Sequence, residues 1–333
     1  MQRIISQTPL RVSLFGGGTD YPAYYLRKPG ATLGMTIDKY NYVGLSTISP
    51  FFDHKLRISY SKIELVNSIE EIQHPSVKGC LKYKNINLPL DIHISADLPA
   101  KTGLGSSSAF TVGFLNALYA LQGVKISKQR LAEEACIIEQ KEIQENVGSQ
   151  DQFHAAFGGI NVFQFYPSHT TVRPVIISRT KKIILENQLL MFYTGLTRFA
   201  HEVVQEQLDN TKTFNNDACL ERMYEMVFEA EEIISHSSDD EMLPLLGRLL
   251  DESWNLKKRL SSKISNPIID QYYEAARSAG AYGGKLCGAG GGGFLVFLAP
   301  VQTIEAIREK LKNLLAVHFL LESQGSSIIY MKE

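Results

Sequence analysis

The chain has 333 residues, with 34 basic and 35 acidic side chains and a formal net charge of −1. So even a balance gives no global field for nucleic acid or an anionic membrane surface, and no apolar run is long enough to span a bilayer. The length favours two domains, and the four cysteines (Cys80, Cys136, Cys219, Cys287) form no CxxC pair and read as buried free thiols.

Residues 1–100 read as strand-rich. "RVSLF", "YNYVGLSTI", "HKLRISY" and "LDIHIS" cluster or alternate β-branched and aromatic residues between Gly, Pro and Asp breaks. The N-terminus lacks a long apolar core with a cleavage site, so it reads as a strand entering a turn and the protein as cytoplasmic. "SSAFTVGFLNALYALQG" predicts a helix stopped by Gly123. Ser127 is placed to cap the next helix, "KQRLAEEACIIEQKEIQ", where Leu131, Ala135 and Ile138 recur at helical spacing. "GSQDQFHAAFGG" is a loop or a short helix between two glycine signals, and "INVFQFY" is a strand.

After about residue 180 the pattern changes. "QLLMFYTG" is a strand, followed by helical stretches over 198–236 and 238–260. "IIDQYYEAARSAG" is a helix ended by Gly280, and "KLCGAGGGGFLVFLA" holds a loop and a strand. "TIEAIREKLKNLL" is a helix and "SSIIYMK" the last strand. No low-complexity linker divides the chain, so the expectation is two closely packed α+β domains, with Trp254, Leu250 and Leu256 packing between helices of the second. The eight histidines show no metal-ligand spacing.

Three glycine clusters carry the functional signal. "TGLGSSSAF" sets Gly103 and Gly105 just before a helix start, where backbone N–H groups lack intrahelical partners and the helix dipole favours an anion. A Ser-capped turn explains one serine, but not three behind Gly-Leu-Gly. This is not a P-loop, because no GK[ST] follows. "GAGGGG" matches GxGxxG at Gly288, Gly290 and Gly293, but it runs into the strand-like "FLVFLA" instead of opening a helix, which rules out a dinucleotide fingerprint. "PLRVSLFGGGTDYPAYY" leads Arg11 into Gly16, Gly17 and Gly18, then to Asp20. That pattern is either an Asp-capped turn or a seat for a polar ligand.

In this order and these places, the clusters resemble the three motifs of the GHMP kinases, a family that includes galactokinase, homoserine kinase and mevalonate kinase. The resemblance covers essentially the whole chain. "GGGTD", "GSQDQFHAAFGG" and "GGKLCGAGGGGF" look most like the heptose 7-phosphate kinases within it, which phosphorylate the anomeric hydroxyl of D-glycero-D-manno-heptose 7-phosphate on the way to nucleotide-activated heptose for surface polysaccharides. Galactokinase-like enzymes carry Gly-Glu-His before Thr-Asp, where this chain has Gly-Gly-Gly.

The resemblance implies an α+β fold with a ribosomal-protein-S5-like ATP-binding half over residues 1–184 and a ferredoxin-like half over 185–333. The active site would lie between them, with ATP and Mg²⁺ as cofactors and a small sugar or sugar phosphate as partner; the sequence is compatible with a homodimer. Asp151 matches the catalytic aspartate and Arg11 the basic position of motif one. Gly103, Leu104, Gly105, Ser106, Ser107 and Ser108 would hold the ATP phosphates. Glu139 and Ser107 match the magnesium ligands, with Glu142 and Ser108 as alternatives. Gly17, Gly18, Thr19 and Asp20 would contact the sugar, with Gly290 and Gly291 closing over it. A 7-phosphate needs its own basic clamp; Arg198 is the first choice and Lys101 the second. Competing readings are a kinase for a fucose- or galactose-type sugar, or a non-catalytic nucleotide- or sugar-binding regulator on the same fold.

Overall fold

The computed structural model describes residues 2–196 and 200–332. Its strands form two sheets. The first has eight strands and is built on Arg3–Phe15, which pairs antiparallel with Gly30–Thr47 along almost its whole length. Gly30–Thr47 is long enough to serve two neighbours on its other edge. Residues 41–47 pair with Leu90–Ala96, and 30–35 pair with Ile160–Phe165. Leu56–Ser59 runs parallel to Leu90–Ala96, with Ile63–Val66 outside it; Thr170–Pro174 lies outside Ile160–Phe165. The second sheet orders Leu315–Ala316, Leu189–Tyr193, Phe294–Leu298 and Gly283–Leu286, all antiparallel.

The Ser106–Leu121 helix is buried nearly all round. That follows from its composition, since apolar residues occupy every face instead of one stripe. It packs on the two long strands and carries the second glycine motif at its N-terminus. The core around it is continuous with the other half of the molecule, taking in Met226, Val227, Leu246, Leu250, Phe294 and Val296. A smaller cluster surrounds Trp254, which is fully buried and tilted against Tyr273. The close packing of two α+β halves expected from the sequence is present. All four cysteines are buried and free. Among the described residues, no helix is long and apolar enough to cross a membrane.

Several elements differ from their sequence expectation. The helical stretch over 198–236 is broken into Ala200–Lys212 and Asp217–His236, with Phe214 at φ +66° between them. The helix from Lys128 ends as an α-helix at Ile137 and passes into a π-helical turn, Ile138–Glu142. "GSQDQFHAAFGG" resolves as the helix Gln150–Phe157, closed by Gly158 and Gly159 at positive φ. The helix at 303–315 stops at Lys310, which frees Leu315–Ala316 to pair with Leu189–Tyr193. Pro75–Tyr83 and Arg179–Gln188 are helices, and Ile63–Val66 and Thr170–Pro174 strands, that the sequence pattern did not mark. The last strand, Ser327–Lys332, pairs with Arg3–Gln7 in the first sheet. The chain therefore starts and ends in the same half, which a single cut at residue 184 does not capture.

Candidate active site

The first strand delivers Arg11. Its side chain is 5% exposed, and its guanidinium holds Asp151 through Nε to Oδ1 at 2.8 Å and a second nitrogen to the same oxygen at 2.7 Å. Asp151 sits in the first turn of the Gln150–Phe157 helix, where free N–H groups favour a carboxylate. Its side chain is 26% exposed, so the pair presents the acid and hides the base. Arg11 also holds the second motif. One guanidinium nitrogen donates to Gly103 O at 2.6 Å, and its own backbone N donates to Leu104 O at 3.1 Å. One residue thus sets the glycine loop and the aspartate relative to each other.

Gly105 explains why glycine is needed here. It caps the Ser106–Leu121 helix at φ +74°, and a Cβ on it would lie 3.4 Å from the Asp151 carboxyl and 3.3 Å from Arg11 Cγ. The helix start therefore meets the acid with no side chain between. The three serines behind it do three different things. Ser106 is locked by Asn41, whose Nδ2 donates to Ser106 O at 2.6 Å and to its Oγ at 3.2 Å. Ser107 is exposed and its hydroxyl bonds nothing among the described residues. Ser108 is buried and donates to Glu139 Oε2 at 2.8 Å. The hydroxyl paired with Glu139 is thus that of Ser108, not Ser107, because successive helical residues point about 100° apart.

Glu139 is fully buried, although it belongs to a charged stretch. The π-helical turn carries it inward, where Gln152 Nε2 also donates to its Oε2. Oε1 has no partner. Burial pushes its carboxyl up to about 7. The competing Glu142 is exposed on the outside of the same turn.

Motif one is more tightly built than the sequence implied. Thr19 is fully buried, its hydroxyl donating to Gly16 O and Ala31 O and accepting from Ala31 N. Asp20 is 1% exposed: Oδ1 accepts from Gly18 N at 2.9 Å, and Oδ2 from Gln150 N and Nε2 at 3.3 and 3.1 Å. Burial raises its carboxyl above the usual range. Thr19 therefore pins the turn, and Asp20 ties it to the start of the Asp151 helix. Of Gly17, Gly18, Thr19 and Asp20, only Gly17 is partly exposed.

The third motif covers the second. A Cβ on Gly103 would lie 2.4 Å from Cys287 O, and one on Gly288 would lie 2.3 Å from Gly103 Cα. Further along, Gly291 N donates to Ile264 O at 2.9 Å, and a Cβ on Gly290 would meet Ile264 at 2.8 Å. Gly290 and Gly291 thus lie against the Ile264 turn. Of the two residues considered for a phosphate clamp, Lys101 is exposed at φ +62°, and Arg198 lies outside the described residues.

Two lysines that the sequence reading missed lie behind the third motif. Lys257 Nζ donates to Leu286 O at 3.1 Å and to Gly288 O, and burial holds it down to about 8. Lys285 Nζ donates to Leu14 O at 2.8 Å, and burial with the Lys257 charge lowers it well below an ordinary lysine. A lysine inside the apolar run "GGKLCG" was the available signal. Tyr21 was also missed. Burial and the charges of Asp20 and Asp151 raise its phenol.

Comparison with known proteins gives this arrangement relatives. Residues 69–159 match the GHMP kinases N terminal domain, and residues 240–317 match GHMP kinases C terminal. The chain is 30% identical to a D-glycero-alpha-D-manno-heptose 7-phosphate kinase of Campylobacter jejuni, over 93% of this chain and 94% of that one. It is 27% identical to a bifunctional fucokinase/GDP-fucose pyrophosphorylase of Arabidopsis thaliana, over 92% of this chain and 31% of that protein. In fold it is similar to a D-glycero-D-manno-heptose 1-phosphate kinase from Bacteroides thetaiotaomicron, at a TM-score of 0.78 and 22% identity over the full length of both chains. With the three glycine motifs assembled around one Arg–Asp pair and end-to-end similarity to such a kinase, this chain belongs to the GHMP kinases.

Proposed function

We propose that this protein is an ATP-dependent kinase that phosphorylates the anomeric hydroxyl of D-glycero-D-manno-heptose 7-phosphate, giving the 1,7-bisphosphate and ADP, for nucleotide-activated heptose used in surface polysaccharide. The observation that carries this reading is the Arg11–Asp151 pair set directly against the Gly105 helix start, in a chain alike along its length to a heptose 7-phosphate kinase.

In this reading the ATP phosphates rest on the first turn of Ser106–Leu121, against backbone of Gly103, Leu104, Gly105, Ser106 and Ser107, where N–H groups have no helical partner. Asp151 takes the proton of the anomeric hydroxyl as that oxygen bonds the γ-phosphorus, and ADP leaves with the electron pair of the broken P–O bond. An anomeric hydroxyl is more acidic than an ordinary alcohol, which suits a carboxylate base. Arg11 holds Asp151 from behind and supplies positive charge near the transferred group. Magnesium fits the corner beside the helix start. Glu139 offers a buried carboxylate oxygen with no hydrogen-bond partner among the described residues, and Ser108 and Ser107 offer hydroxyls, the hard oxygen donors this ion takes. When bound, it would neutralise phosphate charge. Gly17 and Gly18 form the wall of the sugar seat, braced by Thr19 and Asp20.

The likeness to a fucokinase supports L-fucose as the second substrate to test. Phosphorus NMR of a reaction with Mg-ATP separates the two, with heptose 7-phosphate run beside fucose, galactose, mannose and mannose 6-phosphate. A new anomeric phosphate signal with the heptose phosphate alone is the expected result. A signal with a neutral sugar alone overturns the heptose assignment, and silence from every sugar overturns the sugar kinase.

A further inference from the structure

The Ala200–Lys212 helix is anchored by its polar side chains. Glu206 accepts from Ser262 N and Oγ at 2.9 and 3.2 Å, and Asn210 Nδ2 donates to Leu260 O at 3.1 Å. Gln205 Oε1 accepts from Asn146 at 3.0 Å, and Thr211 Oγ1 donates to Gln207 O at 2.8 Å. Gln207 is the exception. It is 6% exposed, yet its side-chain amide makes no hydrogen bond among the described residues.

The amide also has a defined direction. A Cβ on Gly18 would lie 3.1 Å from Gln207 Nε2, with Leu220 and Leu260 flanking it. Gly18 stands at φ +110° and carries no Cβ, so the helix reaches the backbone of motif one directly. Across that backbone, Gly18 N donates to Asp20, and Asp20 accepts from Gln150, the residue before Asp151. Gln207 is therefore a polar group from the second half of the chain set, with Leu220 and Leu260, against the turn that leads to Asp151. Its amide nitrogen and oxygen are not sealed from solvent, so they stay open to a ligand or to water. Its chemistry is two N–H donors and one carbonyl acceptor. A hydroxyl, which both donates and accepts, complements that set.

We propose that Gln207 is a specificity-determining residue that hydrogen-bonds a non-reacting hydroxyl of the sugar acceptor, while Asp151 engages the reacting one. This rests on the sugar-kinase reading above. Gln207→Met keeps the length and removes the amide, whereas Gln207→Glu keeps the shape, replaces the donors with a second acceptor oxygen and adds a negative charge. The test is steady-state kinetics of wild type and both variants, with heptose 7-phosphate and Mg-ATP varied in turn, beside thermal melting. In Gln207→Met the KM for the sugar should rise about five- to tenfold while that for ATP stays within about twofold, the scale of one hydrogen bond. Its melting temperature should stay close to wild type, since the amide has no protein partner to lose among the described residues. An unchanged sugar KM overturns the inference. So does a parallel rise in both KM values with a lowered melting temperature, which marks a structural role. If Gln207→Met does not fold, the same comparison in Gln207→Glu decides. A wild type inert toward every sugar removes the sugar-kinase reading and this inference with it; an active wild type beside unaffected variants removes this inference alone.

Discussion

At the residue scale, the proposed chemistry gathers on Asp151, and its environment says what removing its charge does. In the proposed reading Asp151 is the proton acceptor, and Asp151→Asn removes that charge while keeping the size of the side chain beside the buried Arg11. Turnover should fall by at least about a hundredfold, with ATP binding retained by calorimetry; substantial residual turnover rules out an essential base. Arg11, which stands far in sequence from Asp151 and Glu139, is brought with them to one corner through Gly105, Ser108 and Gln152. The sequence alone does not divide labour among neighbours. Ser106, Ser107 and Ser108 are alike as letters, and only Asn41 and Glu139, distant in sequence, assign each hydroxyl a different surrounding. Thr19 and Asp20 read as ligand contacts and are instead internal ties.

At the element scale, the two glycine loops act as one unit. Gly103 has φ +86° and leaves no room for a methyl group beside Cys287 O. Gly103→Ala should destabilise the protein by about 2 kcal/mol or more, from backbone strain and the clash together, and should raise the KM for ATP; an unchanged urea midpoint would show that the loops can part freely. Lys257 secures the other side of this contact. It titrates at about 8 instead of 10.5 because burial disfavours its charge. Between those values the unfolded chain holds the proton that the folded chain has released, so this residue's contribution to stability rises as pH climbs through the window. Relative to Lys257→Met, wild type should gain about 3 kcal/mol between about pH 7 and pH 10.5, measured by urea midpoints of both proteins across that range. A constant difference would mean that Lys257 is not desolvated. Helices with long apolar faces, such as Ser106–Leu121, were legible in the sequence. The π-helical turn at Ile138–Glu142 and the break at Phe214 were not, because each depends on what packs beside it.

At the scale of the whole molecule, the C-terminal segment crosses back to the first half. Gly159 N donates to Glu322 O, Glu322 N to Thr36 O, and Ser326 N to Ala155 O, which clamps the far end of the Asp151 helix before Ser327–Lys332 joins the sheet. Ending the chain after residue 317 should therefore lower the urea midpoint and abolish most activity, although it removes none of the site residues; a fully active truncated protein would overturn this coupling. By itself the sequence determined the α+β class and the family motifs, because glycine conformations, helix periodicity and motif spacing are local properties of the chain. Which serine meets Glu139, how Lys257 and Lys285 come to be buried behind the third motif, and that Gln207 ends unpaired at Gly18 were decided only by tertiary structure. Each of these is a contact between segments far apart in sequence, and its geometry is set by how the two halves pack.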